Sequence, residues 1–285
     1  MLVVDDLAAF AAPPRGTAVT VGAYDGVHIG HQRLIERLRE VASRRGLATG
    51  VVTFDRHPAL VVRPDSAPRL LTDLDTKLEL LAATGVDYTV VVHFDLERSR
   101  EPAEDFVRTV LVAGLDARVV AVGRDFHFGH NREGNVAFLE RLGPSLGFEV
   151  IPVDLVDEGD GTATKVSSTR VRAALAQGDV AGAAALLGRP HMVRGEIAAT
   201  DGRHVALRVP DDICLPSEGA YAGWFCAGGD RLPAAVVVGA GRAVEANLLD
   251  EHGAGGGGWA AVEFDAPLGE GGRDDVLQAL GDVPR

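Results

Sequence analysis

Residues 18–32 read AVTVGAYDGVHIGHQ, and they indicate the fold class because a strand pattern passes through a glycine-containing turn into a helix pattern. The run Ala18–Gly22 has the apolar, β-branched character of a buried strand. From His31 to Arg45 the apolar residues share one helical face, and Gly46 can end the helix. That face carries Leu34, Ile35, Leu38, Val41 and Ala42.

The same alternation of strand and helix patterns continues along the first two thirds of the chain. Further strands are predicted at Thr49–Phe54, Tyr88–Phe94, Arg118–Val122 and Phe148–Val153. Between them, Thr72 and Asp75 form a capping-box pattern, and another helix is predicted from Pro102 to about Leu111 behind a Ser99 cap. Continuous apolar strands with helical crossovers predict an α/β fold, a doubly wound parallel sheet of Rossmann-like type.

The pattern changes after two further predicted helices, Ser168–Gln177 and Asp179–Leu187. Short apolar runs then alternate with Gly, Asp and Pro, which is typical of a small antiparallel β-barrel. These runs are His204–Val209, Gly219–Phe225, Ala234–Val238, Ala243–Leu249 and Trp259–Phe264. We therefore predict two domains, 1–188 and 189–285, and a loop tip at Gly255–Gly258.

Composition limits the classes of partner. The 285 residues carry a net charge of −13, so duplex nucleic acid is not an expected partner. No apolar run approaches the roughly 18 residues of a membrane span, and acids stand near the N-terminus where a signal peptide would be basic. The two cysteines, Cys214 and Cys226, are too few for a disulfide framework. A cytoplasmic protein with no membrane partner is expected, and its oligomeric state stays open.

The turn at residues 22–32 has the chemistry of a phosphate site. Its glycines, among them Gly22 and Gly30, let the backbone approach an anion, and a helix N-terminus offers free N–H groups. His28 and His31 are three residues apart at that helix start, so both rings can face one ligand. Such rings can stabilise charge that develops on an α-phosphate during in-line displacement.

A second anion site is predicted at residues 166–172, which read VSSTRVR and open another helix. Ser168 and Thr169 offer hydroxyls beside the backbone N–H groups, and Arg170 adds a guanidinium. One phosphate site at each of two helix starts would hold a triphosphate from both ends.

These two segments resemble the (H/T)xGH and ISSTxxR signatures of the nucleotidylyltransferase superfamily. The form DGVHIGHQ is similar to bacterial FAD synthetase, the bifunctional riboflavin kinase/FMN adenylyltransferase family. The resemblance covers about residues 15–195 and includes TFDRHP (53–58), LTD with Lys77 (71–77), GRDFHFG (123–129) and LGRP (187–190).

The resemblance implies that the first domain makes FAD and pyrophosphate from FMN and MgATP. It implies that His28 and His31 meet the ATP phosphates and the transition state, and that Ser168, Thr169 and Arg170 grip the β- and γ-phosphates. It further implies a nucleotide cradle at Gly22, Tyr24, Asp25 and Gly30, flavin-side positions at Asp125 and Phe126, and a neighbouring loop with His57. Mg²⁺ is expected to arrive with ATP, without a set of protein ligands. Arg56 departs from the family, which usually has proline there.

The last 97 residues resemble the family's riboflavin kinase barrel only in part. Glu245 lies in a segment similar to the strand that carries the family's general base. The metal-binding motif GFPTAN is absent, because the matching residues 202–212 contain neither Thr nor Asn. Asp211 and Asp212 there are predicted to form a solvated turn. We therefore expect a degenerate, inactive kinase domain.

Three alternatives to this interpretation stay open. In the first, the chain is a full bifunctional enzyme with Glu245 active. In the second, it is a related enzyme that uses another phosphorylated or modified-flavin acceptor. The third alternative is a flavin-binding protein without catalysis.

Overall fold

The structure is a computed structural model that describes residues 1–154, 156–157, 164–250, 258–268 and 273–280. Residues 255–257 of the predicted loop tip lie outside these ranges. By its contacts the chain forms two compact units, one of Met1–Pro68 with Leu74–Val166 and one of Arg69–Asp73 with Ser167–Arg285.

The first unit is built on a six-stranded sheet in which every neighbouring pair of strands is parallel. The order is β1-β4-β3-β2-β5-β8. These strands are β1 (Leu2–Val4), β2 (Thr17–Val21), β3 (Ala48–Phe54), β4 (Tyr88–Val92), β5 (Ala117–Gly123) and β8 (Glu149–Val153). The predicted doubly wound sheet is confirmed. The edge strand β1 was not predicted, since three residues carry too little periodicity.

Helices cover both faces of this sheet, so its strands are apolar on both sides. Ala18 of β2 packs with Leu34 and Leu38 on one face. The neighbouring Val19 joins a separate cluster with Leu111 on the other face. The helices of the unit are α1 (Ile29–Arg45), α2 (Pro58–Val62), α3 (Leu74–Ala83), α4 (Ala103–Phe106, continuing as a π-helix over Val107–Gly114) and α5 (Val136–Leu146).

The predicted α1 face is confirmed. All five predicted apolar residues are buried, and Gly46 ends the helix in the left-handed conformation. The Ser99 cap is wrong: the Ser99 hydroxyl donates to the Leu96 carbonyl, and α4 begins after Pro102 without a side-chain cap.

The direction in which the chain crosses the sheet reverses at β2. From β2 the chain continues to β3 and β4 on one side and later reaches β5 and β8 on the other. In open α/β sheets, ligands bind beyond the carboxyl ends of the strands at such a switch point. The loops that begin at Gly22 and Arg124 therefore flank the expected crevice.

Two short strand pairs accompany the sheet: β6 (His127–Phe128) with β7 (Gly134–Asn135), and β9 (Val156–Asp157) with β10 (Thr164–Lys165).

The second unit contains a closed antiparallel barrel in the order β11-β12-β15-β14-β13-β16. Two helices, α6 (Ser168–Ala176) and α7 (Val180–Leu187), precede it, and α8 (Arg273–Leu280) follows. The strands are β11 (His191–Asp201), β12 (His204–Arg208), β13 (Gly219–Ala227), β14 (Asp230–Val238), β15 (Val244–Leu248) and β16 (Trp259–Leu268). The predicted barrel is confirmed.

The compact units divide earlier in the chain than the predicted domains. Val171 and Leu175 of α6 and Leu187 of α7 share one apolar core with the barrel interior, which joins both helices to the second unit. Arg69–Asp73 also belongs to it: Leu70 N–H donates to the Asp212 carbonyl (2.6 Å) and Cys214 N–H donates to the Leu70 carbonyl (2.7 Å). A boundary at 188/189 therefore describes the change in sequence pattern, and packing places the division at 166/167.

Within the described ranges, none of the helices combines the length and apolar character that crossing a bilayer requires.

Candidate active site

The turn between β2 and α1 is compact and conformationally strained. The Gly22 N–H donates to the Val52 carbonyl (3.0 Å) and so continues the sheet beyond the strand. Tyr24 and Val27 then adopt positive φ values of 51° and 39°, on either side of Gly26 at 80°. Positive φ is costly for a β-branched residue such as Val27, and strain of this kind persists only where the surroundings fix it.

Tyr24 is held beneath the turn. Its side chain is 1% exposed, its hydroxyl lies 2.6 Å from the Thr20 hydroxyl, and its ring centroid is 4.8 Å from that of His31. The Tyr24 ring thus packs against the His31 ring and helps to fix its position. Because the side chain is buried, we keep the prediction of ligand contact for the Tyr24 backbone alone.

His28 and His31 are brought together at the start of α1, as the motif predicts. His28 is the N-cap residue, and its Nδ1 accepts a hydrogen bond from the His31 backbone N–H (3.3 Å). The two rings stack with their centroids 3.6 Å apart and an interplanar angle of 13°. Because Nδ1 of His28 is an acceptor, the proton of neutral His28 resides on Nε2.

The His31 imidazole is kept neutral by its surroundings. Burial, followed by the nearby His28 ring, holds the pKa of His31 well below its ordinary value. Its Nδ1 is buried and accepts no hydrogen bond from the residues that the structure describes. A buried ring nitrogen without a hydrogen bond costs free energy. Such groups are rare in proteins and need an explanation, of which a functional role is one.

Lys77 of α3 is a functional candidate that lies within one of the quoted motifs but outside the predicted set of site residues. Its side chain is buried, and its ammonium donates to the carbonyl of Phe54 (2.7 Å) and, at 3.5 Å, to that of Ala23. Burial lowers the pKa of Lys77 to about 8, although the carboxylates of Asp25 and Asp55 act to raise it. The sequence does distinguish this residue in one way: the chain has only two lysines, and Lys77 is one of them.

The predicted ligand residue Asp25 is also buried, at 5% exposure, so its side chain acts inside the turn. Of the other predicted cradle positions, Gly22 opens this turn, and Gly30 is a buried residue of the first turn of α1. Gly22 is closely packed, because a Cβ there would lie 3.1 Å from the Tyr24 ring.

The loops after β3 and β4 add a charged cluster at the same edge of the sheet. Asp55 accepts from the Phe94 N–H (2.9 Å), pairs with Arg56 (3.2 Å) and lies 2.8 Å from His93 Nδ1. Partial burial would raise the pKa of Asp55, but these hydrogen bonds together hold it below its ordinary value. His57 is the N-cap of α2, where its Nδ1 accepts from the Ala59 N–H (3.1 Å). This bond gives His57 a local structural role at the position predicted to bind ligand.

The predicted flavin-side residues follow β5. Asp125 forms an ion pair with Lys165. Partial burial raises the pKa of Asp125, but the hydrogen bond and charge of Lys165 outweigh it, so the net pKa is lowered. Phe126 stacks on Phe128 at a centroid distance of 5.2 Å and an interplanar angle of 15°. An aromatic stack beside the switch point offers a flat apolar wall to a planar ligand.

The predicted second anion site belongs to the second compact unit. Ser167 is the N-cap of α6, where its hydroxyl accepts from the Arg170 N–H (3.3 Å). Ser168, Thr169 and Arg170 occupy the first turn of the helix, and both Thr169 and Arg170 are exposed. Because Ser167 caps the helix, Ser168 and Thr169 are not required for that purpose.

In the barrel, Glu245 lies on β15 with its carboxylate 3.2 Å from His204 Nε2. Asp211 and Asp212 form an exposed turn, as predicted, and Asp211 lies 3.8 Å from the Arg242 guanidinium. No group of three or more His, Cys, Asp or Glu side chains placed to hold a metal occurs among the described residues.

Comparison with known proteins gives consistent results. The FAD synthetase family profile matches residues 11–170. A bifunctional riboflavin kinase/FMN adenylyltransferase of Escherichia coli is 38% identical over 190 residues, which is 67% of this chain and 60% of that protein. The protein of the same name from Listeria monocytogenes is 34% identical over 220 residues, 74% of this chain and 68% of the relative.

A solved structure described as a macrolide-efflux protein from Streptococcus pneumoniae aligns with a TM-score of 0.80 at 24% identity. The alignment covers 98% of this chain and 94% of that one, and at this identity it supports the fold alone. The family profile spans more than half of the chain, and the chain belongs to the FAD synthetase family.

Proposed function

We propose that this chain is an FMN adenylyltransferase, which makes FAD and pyrophosphate from FMN and MgATP. The observation that carries the proposal is the stacked pair His28 and His31, at the N-terminus of α1 and beside the switch point of the sheet. The family to which the chain belongs supports the choice of FMN as acceptor. The chain matches only 60% of the length of the E. coli relative, so the activity is proposed here on its own site.

The proposed reaction is one in-line displacement. A phosphate oxygen of FMN forms a bond to the α-phosphorus of ATP, and the bond from that phosphorus to the bridging oxygen of the β-phosphate breaks. Pyrophosphate leaves with the electron pair of the broken bond. No side chain forms a covalent intermediate, so the protein contributes positioning and charge stabilisation.

His28 is suited to donate a hydrogen bond to the developing charge. Its Nδ1 is occupied by the His31 N–H, so the proton on Nε2 is the one it can offer. His31 is held neutral, and its stacked ring fixes the plane of His28. The N-terminus of α1 adds its partial positive charge to the same place.

Mg²⁺ is compatible with this arrangement as part of MgATP. The ion usually keeps several waters and binds through substrate phosphates with one or two carboxylates, so it needs no protein cage. When bound it neutralises phosphate charge. At the start of α6, the hydroxyls of Ser168 and Thr169 and the guanidinium of Arg170 are donors of the kind that bind phosphate oxygens.

We further propose that the barrel has no riboflavin kinase activity. Residues 202–212 form a turn, the strand β12 and a second turn, without a Thr or Asn to hold the metal of a nucleotide. Glu245, the expected base, is paired with His204. Phosphoryl transfer depends on metal-assisted positioning, so the loss of those side chains removes most of the rate.

The test is a chromatographic assay of the full chain with MgATP, run separately with FMN and with riboflavin. FAD from FMN, with riboflavin unchanged, supports both proposals. FMN or FAD from riboflavin overturns the inactive kinase and establishes a bifunctional enzyme. If FMN gives no product, the adenylyltransferase proposal fails, and an altered acceptor or a non-catalytic flavin-binding role replaces it.

A further inference from the structure

We propose that Lys77 is a positioning residue of the adenylyltransferase site, whose ammonium holds the turn that presents His28 and His31. The inference builds on the proposed function, but its geometry is independent of the acceptor. It concerns a side chain on α3, outside the segment that carries the two histidines and outside the predicted set of site residues.

The first observation is the place of the ammonium. Lys77 Nζ bridges the last residue of β3 and the turn after β2, through the carbonyls of Phe54 (2.7 Å) and Ala23 (3.5 Å). The Thr53 hydroxyl also donates to the Ala23 carbonyl (3.2 Å). The Ala23 carbonyl therefore receives two donors, both from outside its own loop.

The second observation is the strain that follows this carbonyl. Tyr24, directly after Ala23, has φ of 51°, and Val27, directly before His28, has φ of 39°. A non-glycine backbone in this region relaxes unless contacts oppose the relaxation. The Lys77 and Thr53 donors at Ala23 supply such contacts at the start of the turn, and the His28 cap fixes its end.

The third observation is charge. The charged groups that face the ammonium are Asp25 from the turn and Asp55 from the loop after β3. Asp55 is shared with Arg56 and His93, so its charge is already partly neutralised. A cation buried among these groups favours carbonyl contacts only while it is protonated. The pKa of about 8 places its loss within reach of experiment.

The measurement uses the fact that Lys77 and Lys165 are the only lysines. Lysine labelled with ¹³C at Cε gives two side-chain signals, and Lys77→Arg identifies the one from Lys77 by removing it. The ring ¹⁵N signals of His28 and His31 are followed in the same pH series. We expect these signals to move with the midpoint of Lys77 in the wild-type chain and to lose that transition in Lys77→Met.

Activity gives a second reading. In Lys77→Met, kcat per folded molecule is expected to fall about 10²-fold, the loss that a displacement of about 1 Å can cause. The wild-type rate should decline above pH about 8. Lys77→Arg should move this decline upward, because guanidinium stays charged. A role in stability alone would change the folded fraction and leave the pH profile in place.

Two further variants complete the design. Thr53→Val removes the second donor to the Ala23 carbonyl and should shift the same histidine signals less, which keeps the test decisive if Lys77→Met does not fold. Arg39→Met removes one exposed positive charge from α1 and should change neither signals nor rate.

Histidine signals that ignore the Lys77 transition, or a Lys77→Met chain with wild-type kcat and pH profile, overturn the proposal. If the wild-type chain makes no FAD, the proposed function fails, and the histidine signals still decide the role of Lys77.

Discussion

The backbone N–H of His31 donates to Nδ1 of His28 at 3.3 Å, while the two imidazole rings stack at a centroid distance of 3.6 Å. This relationship settles two properties of the site. It fixes the tautomer of His28, because an accepting Nδ1 leaves the proton on Nε2. It also opposes double protonation, since two positive rings at this distance repel each other and His31 is buried.

Loss of either ring should slow FAD formation strongly. We expect His28→Asn to lower kcat by about 10²–10³-fold, the size observed when one donor to a developing oxyanion is removed. His31→Ala should lower kcat by about 10²-fold, because the His28 ring then loses the stacked partner that fixes its plane. Asn is chosen at position 28 because it keeps a helix-capping acceptor, whereas Ala would also destabilise α1. FAD is measured by chromatography and folding by circular dichroism. A folded variant with a near-normal rate would contradict the assigned role.

The turn after Phe128 should be intolerant of a side chain. Gly129 has φ of 74° and ψ of 176°, and a Cβ there would lie 2.7 Å from Ala103 Cα and 2.8 Å from Ala103 N. Gly129→Ala is therefore expected to lower the free energy of unfolding by about 2–3 kcal/mol, from both strain and overlap. The measurement is urea unfolding followed by circular dichroism.

Gly147→Ala is the matched control for this substitution. Gly147 also has positive φ, 84°, but a Cβ there would meet only Arg118 Nη1 at 3.7 Å. The cost should be limited to backbone strain, about 1 kcal/mol. Equal losses in the two variants would show that overlap with Ala103 is not the cause.

The barrel should lose stability as the pH falls below about 6.5. His191 is buried, its Nε2–H donates to the Cys214 carbonyl (2.9 Å), and burial lowers the pKa of His191 to about 4. In the unfolded chain His191 binds a proton below about pH 6.5, whereas in the native chain it does so only below about pH 4. The free energy of unfolding therefore decreases as the pH falls from 6.5 to 4. The contribution is about 3 kcal/mol, fully present above pH 6.5.

Tryptophan fluorescence during urea unfolding measures this effect in the barrel, since Trp224 and Trp259 are the only tryptophans. His191→Gln keeps an N–H donor and should remove this part of the pH dependence. His204→Gln, at a half-buried position, should retain it. An unchanged slope in His191→Gln would exclude His191 as its source.

Arg242 should stabilise the barrel through its guanidinium while straining its own backbone. Nη2 donates to the carbonyls of Ile213 (2.7 Å) and Pro210 (3.2 Å), and φ at Arg242 is 69°. Arg242→Ala loses these bonds and keeps the strain, so we expect a loss of about 1–3 kcal/mol by the same fluorescence method. Arg242→Gly also removes the strain and should be more stable than Arg242→Ala by about 1 kcal/mol. The reverse order would contradict this account.

Local pattern alone determined much of this protein. The buried face of α1, its glycine end and the His28–His31 pair follow from short-range periodicity and motif spacing, because each depends on residues within a few turns. The two fold classes follow from the order of the local patterns: alternating strands and helices predict a parallel sheet, and successive short strands predict a barrel. Such patterns carry no information on which distant groups meet.

Other features of the site and of the core arise only from contacts between distant segments. Lys77 becomes a candidate only when α3 brings its ammonium to the carbonyls of Ala23 and Phe54, 54 and 23 residues away. Tyr24 and Asp25 look like ligand contacts in the motif, but the strained turn buries both side chains. The helices α6 and α7 follow the sequence of the first domain, yet they bury their apolar faces in the barrel core. Burial is a property of the assembled surfaces, so no segment read by itself could show it.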